Sequence, residues 1–150
     1  MLFRYLWPAP ATVIGLVFAS LALRRGRVTA VDGVIEAYGP LLRWALTHLT
    51  LVRGGIAAIT FGHVVLVRDA ESLEWTRPHE RAHVRQYECL GPLFLPAYIA
   101  ASMWAVARGG HAYFDNWFEH DATQASARPP AAYFFPSERR PDGRVGRRLE

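Results

Sequence analysis

His79 and His83 stand four residues apart, with Glu80 directly after the first, inside the stretch "RPHERAHVRQYE" that runs from Arg77 to Glu88. On an α-helix each residue turns the face by about 100°, so the two histidines lie about 40° apart, one turn above the other. Both imidazoles can then reach one tetrahedral metal ion. Glu80, turned about 100° from His79, flanks that ion and can hydrogen-bond a water bound to it. Zinc held by neutral nitrogen and oxygen ligands lowers the pKa of its water toward about 7. A glutamate in this place takes the proton as the water attacks a carbonyl, then passes it to the departing amine. The competing reading is a solvated helix on which Arg81 and Arg85 pair with neighbouring acids and the histidines are incidental. Val84, Tyr87 and Leu90 supply a packing face, and the metal reading is the stronger one.

A hydrolytic zinc centre takes three protein ligands and keeps a fourth position open. Downstream candidates for the third are His111, Asp115, Glu119, His120 and Asp121. "HERAH" followed by "WFEHDA" resembles the gluzincin clan of zinc metallopeptidases, in which a glutamate on a later helix, in a Glu-x-x-Ala-Asp pattern, is the third ligand. Glu119 and Ala122 match that pattern; Thr123 stands where the aspartate would be. "HERAHVRQYECLGPLFLPAY" and "DNWFEHDA" are also similar to a group of small bacterial membrane-associated zincins that carry His-Glu-x-x-His-Val-x-Gln and Asn-Pro-Phe-Glu segments. Here Trp117 takes the place of that proline, and the matched part runs from about Gly55 to Ala125.

The resemblance implies a minimal zincin-like α+β domain with His79, His83 and Glu119 as Zn²⁺ ligands and Glu80 as general base and acid. His120 is the fallback ligand. It also implies that "AITFGHVVLV" lies at a sheet edge and takes an extended peptide substrate as a further strand. Gln86, about 60° from His83 on the same helix, either hydrogen-bonds within the site or makes a buried polar contact of the fold. His111, Tyr113 and Tyr133 are chemically able to donate to a developing oxyanion. His48 and His63, without a second ligand at useful spacing, read as structural.

These groups need elements to position them. No charge occurs from Tyr5 to Leu23, and the run is followed by Arg24, Arg25 and Arg27. Residues 1–27 therefore read as an apolar helix anchoring the chain in a membrane, with its C-terminal flank in the cytoplasm; a helix packed on the domain is the alternative. Residues 28–127 form the metal-binding domain. In it "RVTAVDGVIEAYG" predicts a hairpin around Asp32-Gly33, "PLLRWALTHL" a short helix, "GGIAAITFGHVVLVRD" strands, and Asp69 a cap ahead of acidic residues. After Pro78 the helical pattern runs on toward Gly91-Pro92, and a last helix is expected from about Asp115 or Asn116.

Between these helices lies another uncharged run, Cys89 to Ala107, long enough to cross a bilayer. A full crossing would put Glu119 on the far side from both histidines. The run is therefore expected to be a scaffold helix, a shallow membrane-embedded arm, or a partner of the N-terminal helix. Residues 128–150, rich in proline and arginine, read as a disordered tail in which Tyr133, Phe134 and Phe135 form a docking patch.

The 150 residues fit one domain. All 17 basic residues are arginine, which excludes Schiff-base chemistry and any lysine-dependent phosphate loop. A net charge of +4, spread along the chain, argues against nucleic acid and leaves anionic lipid as a partner. Cys89 is alone and forms no internal disulfide. The combined expectation is a membrane-associated zinc metallopeptidase with its catalytic part on the cytoplasmic side. The alternatives are a zincin-like scaffold without hydrolytic activity and a membrane protein without metal.

Overall fold

The computed structural model describes residues 2–50, 52 and 54–126. Four strands form one sheet in the order β1-β2-β4-β3. β1 (Arg27–Val31) and β2 (Val34–Tyr38) are the expected hairpin. Its two turn residues, Asp32 and Gly33, have φ of 51° and 78°, the positive values that match the twist of flanking strands. β3 (Ala58–Phe61) and β4 (Val64–Val67) make a second hairpin, and β4 pairs in parallel with β2. Gly62, at φ 59°, opens the second turn; a Cβ there would overlap Thr12 Oγ1 and sit 2.7 Å from the Thr12 nitrogen. The link between the hairpins is α3 (Pro40–His48).

Strand alternation sorts the core onto two faces. Ile35, Ala37, Ile59, Phe61, Val64 and Leu66 pack with Leu42 of α3 and with the N-terminal segment. The opposite face, Val34, Ala58, Val65 and Val67, packs on Leu73 and Val84 of α4 (Ala70–Leu90). The N-terminal segment consists of α1 (Phe3–Leu6), α2 (Ala9–Ala19) and a 3₁₀ turn at Ser20–Ala22. Its small residues Ala11, Gly15, Ala19 and Ala22 are buried, while Val13, Ile14, Leu16, Val17 and Phe18 are exposed. Gly15 is where α2 touches the sheet: a Cβ would lie 2.6 Å from Val64 Cβ.

Asp69 caps α4 through a 2.8 Å bond from the Ser72 nitrogen to Oδ1. From this cap α4 runs straight through Pro78. Proline removes one backbone donor and crowds the preceding turn. Tertiary contacts hold the helix regardless: buried Glu36 of β2 accepts two 3.0 Å bonds from Arg77 and one of 2.9 Å from Arg81. α4 stops at Gly91, φ 56°, against which the Trp7 indole packs.

A 3₁₀ turn at Gly91–Leu93 leads into α5 (Phe94–Ala107), and Gly109, φ 79°, turns the chain toward α6 (Trp117–Ser126). Buried Asn116 latches α6 back onto α5. Its Oδ1 accepts from the Phe118 nitrogen at 2.8 Å, and its Nδ2 donates to Tyr98 O and to Ser102 Oγ. Tyr87, Phe94 and Phe118, with Ala11 of α2, form a third apolar cluster under this return. The helical run Ala70–Ala107 contains one stretch apolar and long enough to cross a membrane, with 17% of it buried. The 128–150 tail, with Tyr133, Phe134 and Phe135, lies outside the described residues.

Candidate metal centre

α4 supplies His79 and His83 on one face, and α6 brings Glu119 to them from 36 positions beyond His83. One ligand atom from each of the three buried residues lies within 4.8 Å of the others. His79 Nε2 is 3.1 Å from His83 Nε2 and 3.1 Å from Glu119 Oε2; His83 Nε2 is 3.3 Å from Glu119 Oε1. A tetrahedral ion with ligand bonds of about 2.0–2.1 Å separates its ligands by about 3.3 Å. Two nitrogens and one carboxylate at that spacing can hold a metal ion, and the donor set suits a borderline dication.

Two of the three ligands are oriented by neighbouring polar side chains. His83 Nδ1–H donates to Gln86 Oε1 at 2.8 Å, and the Gln86 amide donates in turn to Asp121 Oδ2 at 2.7 Å and to Phe118 O at 3.0 Å. This chain fixes the tautomer that leaves His83 Nε2 as the ligand atom. The Tyr98 hydroxyl donates to Glu119 Oε1 at 2.7 Å. His79 lacks such support: its Nδ1 is buried with no hydrogen-bond partner among the described residues, and the same holds for Thr123 Oγ1. Thr123 thus does not supply the contact that an aspartate makes in the pattern it departs from.

The groups act on one another's protons. Burial opposes a charge on His83, but the Glu119 carboxylate, aided by Glu80 and Gln86, raises its pKa to about 9. Burial likewise opposes the Glu119 charge, and His83 and His79 hold it below the ordinary carboxylate range all the same. Burial, then the charge of the Glu119 carboxylate, pushes the Tyr113 phenol well above its usual value, so it stays a neutral donor beside the carboxylate.

Glu80 is buried, and its Oε2 accepts a 2.8 Å bond from Thr60 Oγ1 on β3, an edge strand of the sheet. The flanking glutamate is thereby tied to the strand expected at the sheet edge. Within "AITFGHVVLV" only β3 is an edge; β4 lies between β2 and β3.

Other candidates fall elsewhere. His120 is exposed, outside the triad and its hydrogen bonds, because the next residue on a helix is turned about 100° from Glu119. Neither the fallback ligand role nor a supporting contact can come from it in this arrangement. Asp121 serves Gln86 rather than the triad. His111 Nδ1 accepts from the Tyr113 and Phe114 nitrogens, and Asp115 Oδ2 accepts from the His111 nitrogen, so both build the turn before α6. His63 is buried against Glu88 at 3.0 Å and against the Tyr5 ring. His48 is exposed, with Nδ1 2.9 Å from Trp44 O.

Sequence reasoning passed over Thr60 and Tyr98. A signal for the second was present: Tyr98 and Ser102 are the polar residues of α5, one turn apart, and both face the α6 return.

No protein-family model, no curated protein and no solved structure matches the chain. Fold and site together define a mixed α+β protein with a buried His₂Glu group able to hold a metal ion.

Proposed function

We propose that this protein is a zinc-dependent metallopeptidase of zincin-like fold, associated with a membrane and with its site on the cytoplasmic side. The observation that carries the reading is the convergence of His79, His83 and Glu119 with Glu80 beside them and outside the triad. These three residues would hold Zn²⁺, which when bound supplies Lewis acidity and an acidified water. Glu80 Oε2 is held by Thr60, which leaves Oε1 to take the proton and return it to the leaving amine. Tyr98 and Gln86 hold Glu119 and His83 in place, and β3, an edge strand among the described residues, offers backbone groups for an extended peptide.

A second reading, a metal-binding scaffold of the same fold without hydrolysis, is favoured by the unsupported His79 Nδ1 and Thr123 Oγ1. Metal analysis and peptide cleavage separate the two. The purified chain is expected to carry about one zinc, lost in His83→Ala and kept in Glu80→Gln. Cleavage of a broad peptide library is expected from the wild type and not from Glu80→Gln. Equal activity in both removes the catalytic role of Glu80, and no cleavage by a zinc-loaded wild type selects the scaffold.

A further inference from the structure

α2 and α5 are apolar around their circumference, yet each buries only part of it. On α2, Val13 and Val17 are exposed at 58% and 64%; on α5, Met103 and Trp104 are exposed at 67% and 66%. Ala11 of α2 and Phe94 of α5 belong to one buried apolar cluster, and Trp7, just ahead of α2, packs on Gly91, just ahead of α5. The sequence segments that carry them hold formal charge of one sign. Residues 1–31 and 89–114 contain no acidic residue, and they carry Arg4, Arg24, Arg25, Arg27 and Arg108. All five arginines are exposed.

The positions of these arginines decide the orientation. Arg4 precedes α2 and Arg24 and Arg25 follow it, so both ends of that helix belong at headgroup level. Alone, helices of 11 and 14 residues are about 16 and 21 Å long, short of the roughly 30 Å hydrocarbon core, and the membrane-length stretch within Ala70–Ala107 is reached only by adding residues ahead of α5. The latch from Asn116 to α5 and the meeting of Glu119 with His79 also require α5 to begin and end on one side.

We propose that the outer faces of α2 and α5 form one docking face that lies in the plane of a single leaflet of an anionic bilayer, its arginines at the phosphates and neither helix crossing. This rests on the membrane association proposed above and adds the surface, the lipid class and the depth. It does not depend on hydrolysis.

The test uses the full chain and vesicles of phosphatidylcholine with or without about 30% phosphatidylglycerol. Flotation is expected with the anionic vesicles, at least about tenfold stronger than with phosphatidylcholine alone. Val17→Glu and Met103→Glu, both at exposed positions, are each expected to weaken it at least about tenfold with unchanged zinc content and circular dichroism. Labelling by an impermeant maleimide needs neither variant. Cys89, exposed in the last turn of α4 and so ahead of α5, and Ala112→Cys in a Cys89→Ser background, beyond the end of α5, are both expected to react from outside sealed vesicles. Reaction at one end only means that α5 crosses, and overturns the proposal. Undiminished flotation of both glutamate variants, or equal binding to neutral vesicles, overturns it as well and leaves association standing. No flotation with any vesicle overturns association itself.

Discussion

Metal binding at the triad should cost one proton, and the pH dependence of affinity should show it. His83 Nε2 faces Glu119 Oε1 at 3.3 Å, and this carboxylate is the main group holding the imidazole pKa up to about 9. An ion coordinated by both must displace that proton. The apparent Kd for zinc is therefore expected to fall about tenfold per pH unit from about pH 6.5 to about pH 9 and to level off above. Between about pH 7 and about pH 9 the gain is about 100-fold, or about 2.7 kcal/mol. Glu119→Gln removes the charge and leaves burial, which favours neutral imidazole, so its slope above about pH 6.5 should vanish even as the lost carboxylate weakens binding overall. Competition against a chromophoric chelator of known pH-dependent affinity measures both proteins. A wild-type affinity that is flat across this range, or an unchanged slope in Glu119→Gln, refutes the argument.

The same proton bears on the stability of the chelator-treated protein. The raised His83 pKa stabilises fully below its unfolded value of 6.5 and is lost as pH rises through about 9, while the depressed Glu119 pKa contributes above 4.5 and is lost only in strong acid. Urea denaturation should show a maximum between about pH 4.5 and 6.5 and a loss of up to about 3 kcal/mol by about pH 10; stability that rises with pH contradicts it. Gln86→Leu takes away the acceptor of His83 Nδ1–H and is expected to weaken zinc binding about 10- to 100-fold, with wild-type affinity as the contrary result. Gly15→Val places a branched side chain where a Cβ already lies 2.6 Å from Val64 Cβ, so a loss of about 1–3 kcal/mol is expected in the same denaturation assay, and an unchanged midpoint would show that α2 does not pack there.

Much of the local structure was legible in the residues. Asp32-Gly33 specifies a hairpin because few other pairs tolerate two positive φ values, and Asp69 announces a helix start because its carboxylate can satisfy an orphan backbone donor. The facing of His79 and His83 follows from helical pitch alone. Pro78 sits inside one helix because its local cost is offset by the Glu36 contacts to Arg77 and Arg81, which come from another element. The charge-free run Tyr5 to Leu23 reads as a single span, yet its alanines and Gly15 meet the sheet in a short helix. Length and hydropathy do not reveal which face is small enough to pack.

The sequence by itself determined half of the centre, two histidines and a glutamate on one helical face, because that relation depends only on rise and turn per residue. The resemblance pointed to Glu119, but only the tertiary structure brings it within metal-binding distance of the histidines and sets Thr60, Tyr98 and the Gln86–Asp121 pair around them. These contacts span 20 to 40 positions and depend on the Asn116 latch and the aromatic cluster beneath it, which turn α6 back onto α4. No periodicity within a single element encodes that return, because it is the packing of several elements that brings the third ligand to the other two.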